Sequence, residues 1–374
     1  MKPKKILLLG VSGIILIFVI ACSNPFLQKN GNGGRNIGPG SGLTDDPFLV
    51  LTVDDLIHVG NPEPDTKWAE WDLEKHYKQI ADINLSDVTN WTPIGYFTGS
   101  YDGNGRKILN LKISDENKSY QGLFSYLGSP GVVKNLGLID ININITGDGE
   151  YIGGLAGSST GTIQNCYVSG SISGSDCVGG IVGRNFLKMD APTSVIQNCY
   201  AVCEISVNSI GGGIAGINRG IVQNCYAAGS VSADGVSVDE TDVGGVAGNN
   251  AGTLRNCVAL NRSVTSEVVD APLIGRVTGY AFPGGKMENN YAWAGMVIKI
   301  DGDDKDPLEE DEDGVALSAG DIKDKSWWTN PDNWKIDEDE GAAAWDFTSV
   351  WVWNNKNMPR LKNFPALLWP AYLQ

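Results

Sequence analysis

Seven asparagines recur along the chain: Asn110, Asn135, Asn165, Asn198, Asn224, Asn256 and Asn289, separated by 25, 30, 33, 26, 32 and 33 residues. A period of this length is the mark of a solenoid, in which each repeat buries its apolar face only against its neighbours. In four copies a cysteine follows the asparagine: GTIQNCYVSG from Gly161, VIQNCYAV from Val195, IVQNCYAAG from Ile221 and TLRNCVAL from Thr253. A glycine signature precedes the later asparagines: IGGLAG at Ile152, VGGIVG at Val178, GGGIAG at Gly211, VGGVAG at Val243 and a degenerate IGRVTG at Ile274.

The repeats carry no 3.6-residue apolar stripe. Glycine pairs beside β-branched residues point to short strands and tight turns. Every second residue from the cysteine is small or apolar (Cys166, Val168, Gly170, Ile172; Cys199, Ala201, Cys203, Ile205; Cys225, Ala227, Gly229, Val231). The alternate set, which includes Tyr167, Ser169 and Ser171, is more polar, as strand alternation requires. Strands that reappear once per repeat in the same direction are parallel. The expected fold is therefore all-β, a parallel, right-handed β-helix whose equivalent residues stack about 4.8 Å apart.

The stretch GGLAGSSTGTIQNCYVSGSISG resembles the GLUG repeat, named for its Gly-Leu-any-Gly run and found in bacterial surface proteins, adhesins and some IgA-specific metallopeptidases. Copies at 152–174, 178–207, 211–233 and 243–265 match well, whereas the fifth, from Ile274, has Arg276 and Asn290 in place of Gly and Cys. WTPIGYFTGSYDGNGRKILNLKI from Trp91 and YQGLFSYLGSPGVVKNLGLI from Tyr120 resemble leading rungs. The resemblance implies an architecture; it says little of activity, because such repeats accompany several functions.

The chain begins with Lys2, Lys4 and Lys5 ahead of an apolar run from Ile6 to Ala21, the layout of a secretory signal peptide. The run ends in Val19-Ile20-Ala21-Cys22, which resembles a lipobox, so residues 1–21 are expected to be removed and Cys22 lipidated. Residues 22–46, rich in Gly, Asn and Pro, form a flexible tether. A cap over 47–90 follows, in which Thr52-Val-Asp-Asp55 reads as a helix start. The β-helix is expected over 91–300, closed over 301–374 by an acidic loop and a Trp-rich cap packing on the last rung. Loss of the three leader lysines takes the formal charge from −16 to −19, which excludes nucleic acid as a partner.

Each possible chemistry meets a structural alternative. Structural zinc wants ligand pairs two to four residues apart, whereas Cys166, Cys199, Cys225 and Cys257 recur singly, so no metal is expected. Disulfides suit an exported chain, and their absence leaves Cys166, Cys177, Cys199, Cys203, Cys225 and Cys257 as buried apolar filler; the residues favour the filler reading. The asparagines sit at strand corners, where side-chain amides can stack on one another. Tyr167, Tyr200, Tyr226 and Tyr291 face outward and are the candidate ligand-binding stripe, the alternative being rings that pack on each other across rungs. Only His58 and His76 are present, neither in HExxH, and there is no GxSxG elbow, so no catalytic residue and no cofactor is assigned. The acidic run from Asp301 has Asp306 where a calcium loop needs glycine, and reads as a solvated loop. The expectation is a non-enzymatic, lipid-anchored envelope protein at the outer membrane or cell surface, joined to the membrane by its N-terminal lipid and binding a host protein or glycan. A polysaccharide lyase or hydrolase on the same scaffold is the alternative.

Overall fold

The computed structural model describes residues 40–187, 193–234, 241–268, 272–306, 313–334 and 345–373, the last range without 355, 365 and 367. The leader, Cys22 and most of the tether lie outside the described residues, as does the centre of the acidic run.

One repeat shows how the coil is built. Glu150–Gly153 and Ala156–Ser159 lie on two small sheets, and Thr162–Gln164 and Tyr167–Gly174 follow on a larger one. The next repeat lays Asp176–Gly179, Val182–Asn185, Val195–Gln197 and Tyr200–Val207 on top, each strand parallel to its predecessor. Continued along the chain, this gives sheets of five, seven and 19 strands and establishes the parallel β-solenoid. The unequal repeat lengths are absorbed at corners, so strand registers stay in step: Tyr167 faces Tyr200, and Tyr200 faces Tyr226.

Parallel pairing begins earlier than the expected boundary at 91. Phe48–Val50 pairs with His76–Gln79, which pairs with Ser100–Leu109, so rungs are present within the supposed cap. Thr52 caps the helix Val53–Ile57 in a capping box with Asp55. At the far end Val315–Leu317 adds a parallel strand beyond residue 300.

The degenerate fifth repeat terminates the stack. Arg276, in place of glycine, is 3% exposed; its backbone amide donates to Asp313 Oδ1 at 2.7 Å and its guanidinium to Gly314 O at 3.1 Å. Asn290, in place of cysteine, accepts from the Cys257 amide at 3.1 Å and donates to Leu254 O at 2.7 Å. Arg276 and Asp313 thus satisfy backbone groups at the last rung of the five- and seven-stranded sheets, while Asn290 satisfies groups of the rung before its own.

The C-terminal region departs most from expectation. Helices Ala319–Lys323 and Lys325–Thr329 lead to a hairpin of Trp351–Asn354 and Asn357–Leu361, an antiparallel sheet of its own. This segment runs back along the flank of the solenoid as a strap. Tyr291 Oη donates to Asn333 O at 2.8 Å, Trp345 Nε1 to Asn256 O at 3.1 Å and Tyr226 Oη to Pro359 O at 2.7 Å. Further along, Phe364 lies edge-on to Tyr167, and Asn363 packs over Gly105.

Candidate functional site

The inward face of the repeat follows strand parity. Cys166, Cys199, Cys225 and Cys257 are fully buried in the main core, and all six described cysteines are free. Each ladder thiol donates to the carbonyl two residues before it, at 3.2, 3.2, 3.1 and 3.3 Å. Burial, followed by the neighbouring thiols, pushes Cys166, Cys199 and Cys225 well above the ordinary thiol range, and burial raises Cys203 to about 12. Such thiols stay protonated and lack nucleophilicity.

All seven repeat asparagines have positive φ, between 50° and 60°. Asparagine is the residue besides glycine that visits this region most readily. Its amide also links rungs: Asn165 Nδ2 donates to Asn135 Oδ1 at 3.2 Å, and Asn289 Nδ2 to Asn256 Oδ1 at 3.4 Å. These residues set corners.

The tyrosine stripe requires a correction. Tyr167, Tyr200 and Tyr226 do point away from the cysteine core and stack at 4.9 and 4.8 Å, yet each is 0% exposed. The strap covers them: Trp351 lies 6.0 Å from both Tyr200 and Tyr226, in a second apolar cluster. Val258 interrupts the ladder, and Tyr291 beyond it is held between Trp327 and Trp334 at 5.0 and 5.4 Å. Tyr167, Tyr200 and Tyr226 therefore form the seat of the strap and present no face to a ligand, while Tyr291 is half-buried against it. Strand parity assigned their direction correctly but carried no information about what would cover them.

An open surface lies instead at the glycine corner, where the five- and seven-stranded sheets meet. A Cβ on Gly183 would stand 2.4 Å from the backbone nitrogen of Ile152, and one on Gly248 2.7 Å from Asp242 O. Only glycine lets the two backbones approach this closely. The residue after each corner glycine projects beyond the contact, and these residues form a register row: Ser158, Arg184, Ile217, Asn249 and Tyr280. Facing it, the five-stranded sheet contributes Tyr151, Cys177, Ile210, Asp242 and Leu273. Toward the C-terminal end the two rows, with Arg219 and Phe282, line a groove of about 670 Å³. Leu273 and Phe282 are 44% and 52% exposed there, and Asn249 Nδ2 donates to Asp242 Oδ2 at 2.8 Å.

In the middle of the row the Arg184 guanidinium lies 4.2 Å from the Tyr151 ring and 4.8 Å from Phe186, while Arg219 lies 5.7 Å from Phe186. Arg184 Nε donates to the buried Ser158 Oγ at 3.4 Å. Earlier in the stack Tyr96 and Tyr126 continue the row as a stacked pair, 4.8 Å apart. None of these residues was singled out from sequence. The signal available was the variable position immediately after the last glycine of each motif.

The histidines lie apart from the groove. His58 stacks on Trp68 at 3.8 Å, and His76 bridges Ser100 Oγ at 2.7 Å and Thr44 Oγ1 at 3.1 Å, so its second nitrogen meets a hydroxyl and no carboxylate. Among the described residues no three His, Cys, Asp or Glu side chains converge as metal ligands.

The coil and its glycine corner define a parallel β-solenoid of the repeat-built, surface-grooved kind. Residues 148–173 match the family model of the GLUG motif. Halomucin from Haloquadratum walsbyi is 34% identical over 170 residues, 42% of this chain and 2% of that protein. A Gly-rich membrane protein, provisionally so named, from Evansella cellulosilytica is 30% identical over 138 residues, 34% of this chain and 15% of that protein. The chain thus spans a small part of the length of the curated relatives it matches. A solved Bacteroides ovatus structure with the provisional name immunoglobulin A1 protease superposes with a TM-score of 0.64 at 22% identity, covering 87% of this chain and 94% of that one. At this identity the likeness speaks for the solenoid alone.

Proposed function

We propose that this is an exported, lipid-anchored surface protein that binds, without turning over, an extended carbohydrate or protein laid along the glycine-corner groove. The observation that carries the reading is the groove itself, with Leu273, Tyr280 and Phe282 left open on a fold that buries its other aromatic stripe. Exposed apolar and aromatic side chains gathered in a concavity mark a binding surface. The names halomucin and Gly-rich membrane protein support a surface setting, and the lipobox-like Cys22 supports an anchor.

The test is an array of glycans and host proteins probed with the chain from residue 23 onward. Binding is expected, with a tenfold or greater loss in Phe282→Ala; an array without a hit defeats the reading. A new reducing end, an unsaturated sugar product or a cleaved immunoglobulin A would replace it with the enzymatic alternative, the protease arm being suggested by the structural neighbour's name. For the anchor, a clickable fatty acid should label the wild type and not Cys22→Ala.

A further inference from the structure

Arg184 and Arg219 stand out in a chain of formal charge −16. Arg219 lines the groove, and Arg184 stands one rung earlier in the same row, in register with the groove-lining Ile217. Their described contacts are with aromatic rings and a serine hydroxyl rather than with carboxylates. Arg184 is braced from three sides by Tyr151, Phe186 and Ser158, which fixes the plane of the guanidinium before any ligand arrives. A pre-oriented guanidinium offers two parallel N–H donors matched to a carboxylate or sulfate.

The other charges nearby restrict where an anion fits. Asp242 lines the groove, is 4% exposed and accepts from Asn249 Nδ2 at 2.8 Å, so an anion is kept away from its carboxylate. Glu150 and Asp176 lie side by side at the outer edge of the five-stranded sheet and repel an anion from there. The attractive position is therefore at the guanidinium pair. Along the same groove, Tyr280 and Phe282 supply flat apolar faces of the kind a pyranose ring covers, so charge and stacking are offered in one line.

We infer that the groove takes an acidic polysaccharide, a linear chain of sugars bearing carboxylate or sulfate groups, with Arg184 and Arg219 binding the anionic groups and Tyr280 and Phe282 stacking on sugar rings. This rests on the binding reading above and narrows its ligand. Affinity electrophoresis of the chain from residue 23 through gels containing polygalacturonate, chondroitin sulfate, neutral laminarin or poly-glutamate tests it, with the melting temperature of each variant as a folding control.

Retardation is expected in one or both acidic polysaccharides and weaker or absent in laminarin. Arg184→Ala/Arg219→Ala should lose tenfold or more in affinity and flatten the salt dependence, while Arg184→Lys keeps the charge and recovers only part of the binding. The two acidic gels separate a carboxylate ligand from a sulfate ligand. Equal binding by the double variant, or retardation in laminarin alone, overturns the acidic-ligand inference; in the laminarin case, loss in Phe282→Ala leaves the binding-protein reading standing. Equal retardation by poly-glutamate reduces the site to a charge contact and overturns the sugar. A blank in every gel together with a blank array defeats both.

Discussion

At the scale of single residues, the repeated asparagine does two jobs that no other side chain combines. It turns the backbone through positive φ at every copy, and in Asn165 and Asn289 its amide also donates to the copy one rung before. Asn198→Gly keeps the first job and should be tolerated, whereas Asn198→Ala keeps the Cβ but loses the local side-chain hydrogen bonding that lets Asn visit this region, and should destabilise by about 1 kcal/mol. Urea denaturation of the two variants side by side reads the difference. The adjacent cysteine is a brick: with Cys22 removed, a thiol reagent should find no reactive cysteine in the native protein and six in guanidinium.

Asp55 adds a pH dependence at this scale. Burial would raise its carboxyl, but hydrogen bonds from Lys67, the Leu51 amide, Trp68 and Thr52 outweigh burial and hold it below the usual carboxylate range. A carboxyl depressed in the folded state contributes stability above its unfolded pKa and loses it as pH falls through the folded one. Melting of the N-terminal rungs should accordingly drop below about pH 4. Asp55→Asn should lower the melting temperature at neutral pH and flatten this acid limb; an unchanged limb would remove Asp55 as its source.

At the scale of elements, the rung was legible and its coverings were not. Parity assigned Cys166 and its copies inward and Tyr167 and its copies away from the core, because side chains of an extended strand alternate. The strap was misplaced because Trp345, Trp351 and Phe364 meet Tyr226, Tyr200 and Tyr167 across more than a hundred residues, and apolarity alone does not say which surface a segment covers. The groove was missed for a related reason: the motif's fixed glycines draw attention, while its one variable position supplies the half-buried row of Arg184, Ile217, Asn249 and Tyr280. The last rung was half read, since Arg276 and Asn290 were recognised as departures but not as the residues that close the stack. Arg276 Nε lies 3.9 Å from Asp313 Oδ1 with both side chains buried, and removing one member of such a pair strands the other charge, so Asp313→Ala should cost about 3–5 kcal/mol in denaturant titrations. Trp351→Ala should cost a similar amount, about 3–5 kcal/mol, with a rise in tyrosine exposure as the strap loosens.

At the scale of the whole molecule, the strap and the groove occupy different sides of the coil. The asparagine and tyrosine side is closed by the strap, and the glycine corner is left open. A ligand running along the corner touches several rungs at once, so small contacts add, and shortening an oligosaccharide should weaken binding stepwise rather than all at once. Isothermal titration with a length series checks this: a single short unit binding as tightly as the polymer would place all recognition on one rung.

The strap has a consequence for how the protein comes apart. A stack held only by neighbour-to-neighbour bonds frays from its free end, one turn after another, because no turn knows the state of any but the next. A segment anchored at Asn333 beside Tyr291, at Pro359 beside Tyr226 and at Asn363 over Gly105 ties distant turns to one another. Such a tie converts graded unzipping into a single cooperative event, and a chain pulled by a tether at one end would resist until it failed whole.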